Sequence, residues 1–158
     1  MDDASDYFTV TQNVLTGLYR TGEGKLWMLI FSKGIGNLIQ GNLLVNNPDA
    51  IAAIGTQEMA GEDNKDVRVK GNIILNSGYL YYFAGKLPLP SSGADLLGRN
   101  VYEWQAWRSI LEGKFDAHTL IADPLLVISS EGRIQLQPNS PAYQLGWGDI
   151  DDDQIGPQ

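Results

Sequence analysis

Glu58, Glu62, Asp63 and Asp66 place four carboxylates within residues 58–66. Hydrolysis of a glycosidic bond needs two such groups, one protonated as an acid and one ionised as a base or nucleophile, about 5–10 Å apart. The four are therefore the candidate catalytic residues. A charge run on a loop is otherwise a solvated surface. A polysaccharide lyase would instead need a base to abstract a proton, with calcium or arginine offsetting the substrate carboxylate; Lys33, Lys86 or Arg68 could serve as that base. Trp27, Tyr81 and Tyr82 offer rings against a sugar, each with apolar area and a polar handle. With Lys33 and Lys86 they are the candidate substrate contacts. Tyr81 and Tyr82 are consecutive on a strand, so one of the two must face outward.

The elements that position these groups repeat. Val10–Leu15, Leu38–Asn46, Val67–Asn76 and Leu97–Tyr102 resemble one another, and their marker residues Asn13, Asn42, Asn72 and Asn100 lie 29, 30 and 28 residues apart. Each marker segment reads as a strand, and the first three are followed by a second apolar strand: 26–31, 50–54 and 79–83. Turn formers separate them at 21–24, 46–49 and 76–78. A period of this size predicts a stacked repeat, a short parallel β-helix in an all-β chain. An asparagine at each bend can hydrogen-bond its own turn, and stacked amides form a ladder. The markers therefore read as structural. The return loops vary in length, 31–37 being short and 55–66 and 84–98 longer, which puts a substrate or partner on that side.

A net charge of −8 excludes a nucleic-acid binder that works by neutralising phosphates, and disfavours an anionic membrane surface. No stretch approaches the ~18 apolar residues of a membrane span. The start, Met1 to Asp6, is acidic with no apolar run and does not read as a signal peptide. There are no cysteines, so disulfides and thiolate zinc sites are excluded while the compartment stays undecided. His118 is the only histidine. It sits two residues after Asp116, yet neither a nucleophile elbow nor a histidine–glutamate metal pattern accompanies it. No metal and no cofactor are expected.

After Tyr102 the pattern changes. Trp104, Trp107, Ile110 and Leu111 have helical spacing, and 125–128 and 133–136 read as an edge pair around Ser129–Gly132. In order come Glu103-Trp104-Gln105-Ala106-Trp107, Asp116-Ala117-His118-Thr119, Ala122-Asp123-Pro124-Leu125-Leu126-Val127, Arg133 to Tyr143 with Pro138-Asn139-Ser140-Pro141-Ala142, and Leu145-Gly146-Trp147. This series resembles the C-terminal end of the right-handed parallel β-helix proteins of bacterial polysaccharide breakdown, the pectate-lyase-like superfamily. The resemblance covers residues 103–157. It implies a D-x-H-S-like run, a D-P-L strand and an L-x-P-x-S-P-A turn closing the solenoid, with His118 in the cap satisfying buried backbone groups. Proteins of that superfamily are usually several times longer and secreted, so this chain corresponds to their last few coils; its own localisation stays undecided.

The expected fold is all-β: a short right-handed parallel β-helix over 1–102, with a short helix and an irregular C-terminal cap over 103–158. The expected function is carbohydrate-active, a glycoside hydrolase acting on an oligo- or polysaccharide. The alternatives are a non-catalytic carbohydrate-binding or structural module, or a polysaccharide lyase. The first repeat has no cap of its own, because Met1 to Tyr7 is too short to cover it. A homodimer through that uncapped end is expected.

Overall fold

The computed structural model describes residues 5–20, 22, 24, 26–57, 67–85, 89–94, 100–103 and 118–150. These are mostly β. Each of the first three repeats holds three strands: β1 (Thr9–Thr11), β2 (Val14–Thr16) and β3 (Leu26–Ser32); β4 (Leu38–Gln40), β5 (Leu43–Val45) and β6 (Ala50–Gln57); β7 (Arg68–Lys70), β8 (Ile73–Leu75) and β9 (Tyr79–Ala84). The marker segments are thus two short strands and not one. Gln12, Gly41 and Gly71 take left-handed φ of 53°, 64° and 59° and bend the chain just before each marker asparagine. A second left-handed break follows at Gly17, Asn46 and Asn76, residue types that tolerate this region.

Equivalent strands of successive repeats pair in parallel, giving the sheets β1-β4-β7, β2-β5-β8 and, for the third strands, β3-β6-β9. The register keeps like residues in line. Val10, Ile39 and Val69 form one inward row, Leu15, Leu44 and Ile74 a second, and Ile30, Ile54 and Tyr81 a third. The three rows meet in a single core, where each fully buried aliphatic side chain contributes about 1.5–3 kcal/mol. Leu29 and Ile30, and likewise Ala53 and Ile54, are consecutive yet both pack inward. The third strands therefore turn a corner there, which puts residues three apart on the same outer side.

Asparagine amides tie the repeats together at the first bend. Asn42 Oδ1 accepts from the backbone N–H and Nδ2 of Asn13 at 3.1 and 2.9 Å, and Asn72 Oδ1 accepts from the same two groups of Asn42 at 2.9 and 3.0 Å. A second ladder runs through the next bend, where Leu18 N–H donates to Asn47 Oδ1 and Asn47 Nδ2 to Ser77 Oγ.

The fourth marker does not continue the series. Asn100 lies on β11 (Asn100–Glu103), which pairs antiparallel with β9 and with the two-residue β10 (Gly93–Ala94). The next rung of the first ladder is instead Thr119, whose Oγ1 accepts from Asn72 N–H at 3.0 Å, while Leu120 forms a parallel bridge with Ile73. A hydroxyl replaces the amide, so counting asparagines misses it.

The tail packs on the outer side of β2-β5-β8. Leu43 and Ile73 point away from the main core and form a second cluster with Ala142, joined by Val14, Leu120, Leu126, Leu136, Leu145 and Trp147. The expected edge pair forms as an antiparallel hairpin, β12 (Leu126–Ile128) with β13 (Ile134–Leu136), and Gly132 supplies its left-handed turn residue. A short 3-10 helix, Pro141–Leu145, follows; Ser140 Oγ accepts from Ala142 N–H at its start, and Gly146 closes it at φ 85°. The helix expected around 104–111 lies outside the described residues. Among the described residues no helix is long and apolar enough to cross a membrane.

Candidate functional site

The outer side of the third sheet carries the most concentrated set of rings among the described residues. Phe31, Gly55 and Tyr82 are in register across β3, β6 and β9, and Glu103 of β11 stands opposite Tyr82. At the ~4.8 Å strand spacing, Phe31 and Tyr82 are about 10 Å apart with the glycine between them. Gly55 keeps that gap shallow, since Met28 Sδ lies where its β-carbon would be. Trp27 meets Phe31 edge-on at 6.1 Å, and Lys33 Nζ sits 5.7 Å from the Phe31 ring centroid. Tyr79 stacks on Tyr82 at 6.3 Å and is itself exposed. The result is a ring-lined strip with an ammonium at one edge and an exposed carboxylate at the other.

Three of the expected contacts, Trp27, Lys33 and Tyr82, belong to this strip. Tyr81 does not. It is 2% exposed, its ring is part of the main core, and its hydroxyl donates to Thr119 Oγ1 at 3.2 Å. Pleating sends Tyr81 inward and Tyr82 outward, so Tyr81 is corrected to a core residue that helps seat the tail. Replacing Tyr81 by Phe should lower stability by about 1 kcal/mol, the worth of one hydrogen bond. Thermal melts would record that loss, and saccharide affinity should stay unchanged.

Glu58, Glu62, Asp63, Asp66 and Lys86 lie outside the described residues. Glu103, Phe31 and Tyr79 were not among the candidates from sequence. The signal for Glu103 is its antiparallel register against Tyr82, which a fourth parallel repeat would have hidden.

No protein-family model matches the chain, and neither a curated protein nor a solved structure does.

Among the described residues, two clefts border the tail. One, of about 600 Å³, lies between Gln12, Asn13, Val14 and Leu15 of the first repeat and Ile134, Trp147, Gly148, Asp149 and Ile150. Asp149 Oδ1 accepts from the Tyr143 hydroxyl at 3.2 Å; desolvation, then this bond and the carboxylate's charge, raises the Tyr143 pKa above the ordinary tyrosine value. The Trp147 indole N–H is buried with no hydrogen-bond partner among the described residues. The second cleft, of about 540 Å³, includes His118 with Gln40, Thr119, Leu120, Gln144 and Leu145. His118 is exposed there, and no cluster of three or more potential metal ligands occurs among the described residues. Among the described residues, neither cleft brings a nucleophile, a base and an acid together. The ring-lined strip is the better candidate site.

Proposed function

We propose that the chain is a carbohydrate-binding protein built as a short right-handed parallel β-helix, and that saccharide lies along the strip formed by Trp27, Phe31, Tyr79 and Tyr82. The helix reading draws on three parallel sheets that share one strand order, on inward rows that merge in one core, and on the strong preference of parallel crossovers for the right hand. Kinship with the pectate-lyase-like proteins rests on the sequence of the tail. The single observation that carries the binding reading is the register Phe31–Gly55–Tyr82–Glu103. Rings presented on a flat sheet give sugar faces an apolar platform, and the flanking Lys33 and Glu103 give hydroxyl or carboxylate groups a polar partner.

The test is binding to a panel of oligo- and polysaccharides, by glycan array and then calorimetry. Phe31→Ala and Tyr82→Ala should each weaken the best ligand about tenfold, as loss of a central aromatic contact does. Val127→Ala, on the exposed side of the tail hairpin, should leave affinity unchanged. Silence across the panel, or equal binding by the Phe31→Ala/Tyr82→Ala double variant, would sink the reading.

Glycoside hydrolysis is the second reading. It is favoured by position along the chain: the segment holding Glu58, Glu62, Asp63 and Asp66 follows directly on β6, whose Gly55 is central to the strip, and Lys86 follows closely on β9. Aryl glycosides assayed with the parent and with a variant carrying all four acids as amides decide it. Turnover present in the first and lost in the second, with saccharide binding retained, would make the strip a substrate cleft.

A further inference from the structure

The cleft of about 540 Å³ beside the tail holds three polar side chains that the fold does not use. Gln40, His118 and Gln144 line it together with Thr119, Leu120 and Leu145. Among the described residues, none of the three forms a side-chain hydrogen bond or an ion pair. The tail's resemblance assigned His118 to buried backbone groups; here its imidazole is exposed and bonds to none of them among the described residues.

The three come from separate parts of the chain, and each sits on a fixed support. Gln40 ends β4, one residue after the inward Ile39 and so on the outer side of the first sheet. His118 directly precedes Thr119, whose Oγ1 accepts from Asn72 N–H and from the Tyr81 hydroxyl. Gln144 lies in the 3-10 helix, between the Ser140 cap and the Gly146 stop. Gly71 leaves the bend beside Leu145 open, since a β-carbon there would meet only Leu145 Cδ2, at 3.9 Å. The walls are thus set by the ladder and the tail, and the three polar groups remain for something else.

The lining dictates the chemistry of that partner. A side-chain amide and a neutral imidazole each carry a donor and an acceptor, as a hydroxyl does. Leu120 and Leu145 add an apolar wall. No carboxylate, ammonium or guanidinium lines the cleft, and Lys70, in register with Gln40, is not part of it. An ionic ligand would leave water with no fixed opposite charge to meet it. A sugar ring, with hydroxyls at its rim and C–H groups on its faces, matches both kinds of wall. The volume lies within the about 300–1,000 Å³ of small-molecule sites.

We infer that this cleft binds a neutral pyranose, as a saccharide site separate from the ring-lined strip. The strip occupies the outer side of the third sheet, whereas the cleft lies between the first sheet and the tail. The inference does not rest on the strip.

His118 is the only histidine, so its ring C2–H gives a single NMR signal inside the cleft. The test is titration of the protein with methyl glycosides of glucose, galactose, mannose and xylose through the millimolar range. At least one should shift that signal saturably, and methyl glucuronide, the charged counterpart of the glucoside, should bind more weakly than the best of them. Gln40→Ala with Gln144→Ala should weaken the best pyranoside at least about tenfold, through the hydrogen bonds lost at both amides. Neither side chain belongs to the core, so the double variant should keep the parent's circular dichroism. Phe31→Ala with Tyr82→Ala should leave the His118 shift as it is in the parent. A signal indifferent to every pyranoside, equal binding by the glutamine variant, tighter binding of the glucuronide, or loss of the shift in the strip variant overturns the inference.

Discussion

Gly78→Ala should strongly destabilise this protein. Gly78 opens the turn into β9 at φ 71°, and a β-carbon there would fall well inside contact distance of the Ala50 and Ile51 carbonyl oxygens. Both obstacles are backbone and cannot rotate away. Left-handed strain of about 1 kcal/mol adds to an overpacking cost of about 1–3 kcal/mol, so a loss of about 3 kcal/mol is expected. For a chain of this size that lowers Tm by about 6–12 °C. Gly132→Ala is the control. It has the same sign of φ, at 84°, but nothing within 4 Å of its β-carbon, so only the strain remains. Calorimetry of the two variants separates the causes. Equal shifts would mean that the third repeat does not approach the start of β6 as closely as the geometry has it.

The same turn shows why part of the fold was legible beforehand. Asn-Ser-Gly at 76–78 announces a break in any context, and the apolar runs that follow such breaks are the strands β3, β6 and β9. The spacing of Asn13, Asn42 and Asn72 was legible too, because a ladder needs the same side chain at the same place on each rung. Two things were not. The break inside each marker segment is made at Gln12 in the first repeat, and glutamine gives no warning of a left-handed φ. The next rung after Asn72 is made by Thr119, 47 residues on, after the chain has left to form β11. A periodic count instead selected Asn100, which falls at nearly the right interval and on an antiparallel strand.

That misplacement bears on the site. With Asn100 as a fourth parallel rung, Glu103 has no assigned neighbour; with β11 antiparallel, it faces Tyr82 and borders the strip. The tyrosine pair was only half readable for a related reason. Alternation says that one of Tyr81 and Tyr82 is core, but which one depends on the corner at 29–30 and 53–54, where two successive residues turn inward and reset the phase. Sequence carries the rings and the repeat. Register decides which rings share a surface.

Asn42→Ala should cost nearly as much as the glycine change, by a different route. Asn42 is fully buried between rungs. Its Oδ1 accepts two bonds from Asn13, and its Nδ2 reaches Val10 O at 3.0 Å, Gln40 O at 3.2 Å and Asn72 Oδ1 at 3.0 Å. Alanine fills none of this space and strands buried acceptors, each costing about 1–3 kcal/mol when unpaired. A loss of about 3–4 kcal/mol is expected. Asn13→Ala deletes the neighbouring rung of the same ladder, yet Asn13 is exposed and water replaces what is lost, so less than about 1 kcal/mol should go. Urea melts of the two variants would measure the difference. If both cost under about 1 kcal/mol, the amides only decorate a stack held by its apolar rows; a wide gap between them makes the buried ladder a determinant of which strand lies above which. The second outcome is expected, because the inward rows of the first two sheets are all aliphatic and a slip of two residues would keep their faces while breaking every amide pair.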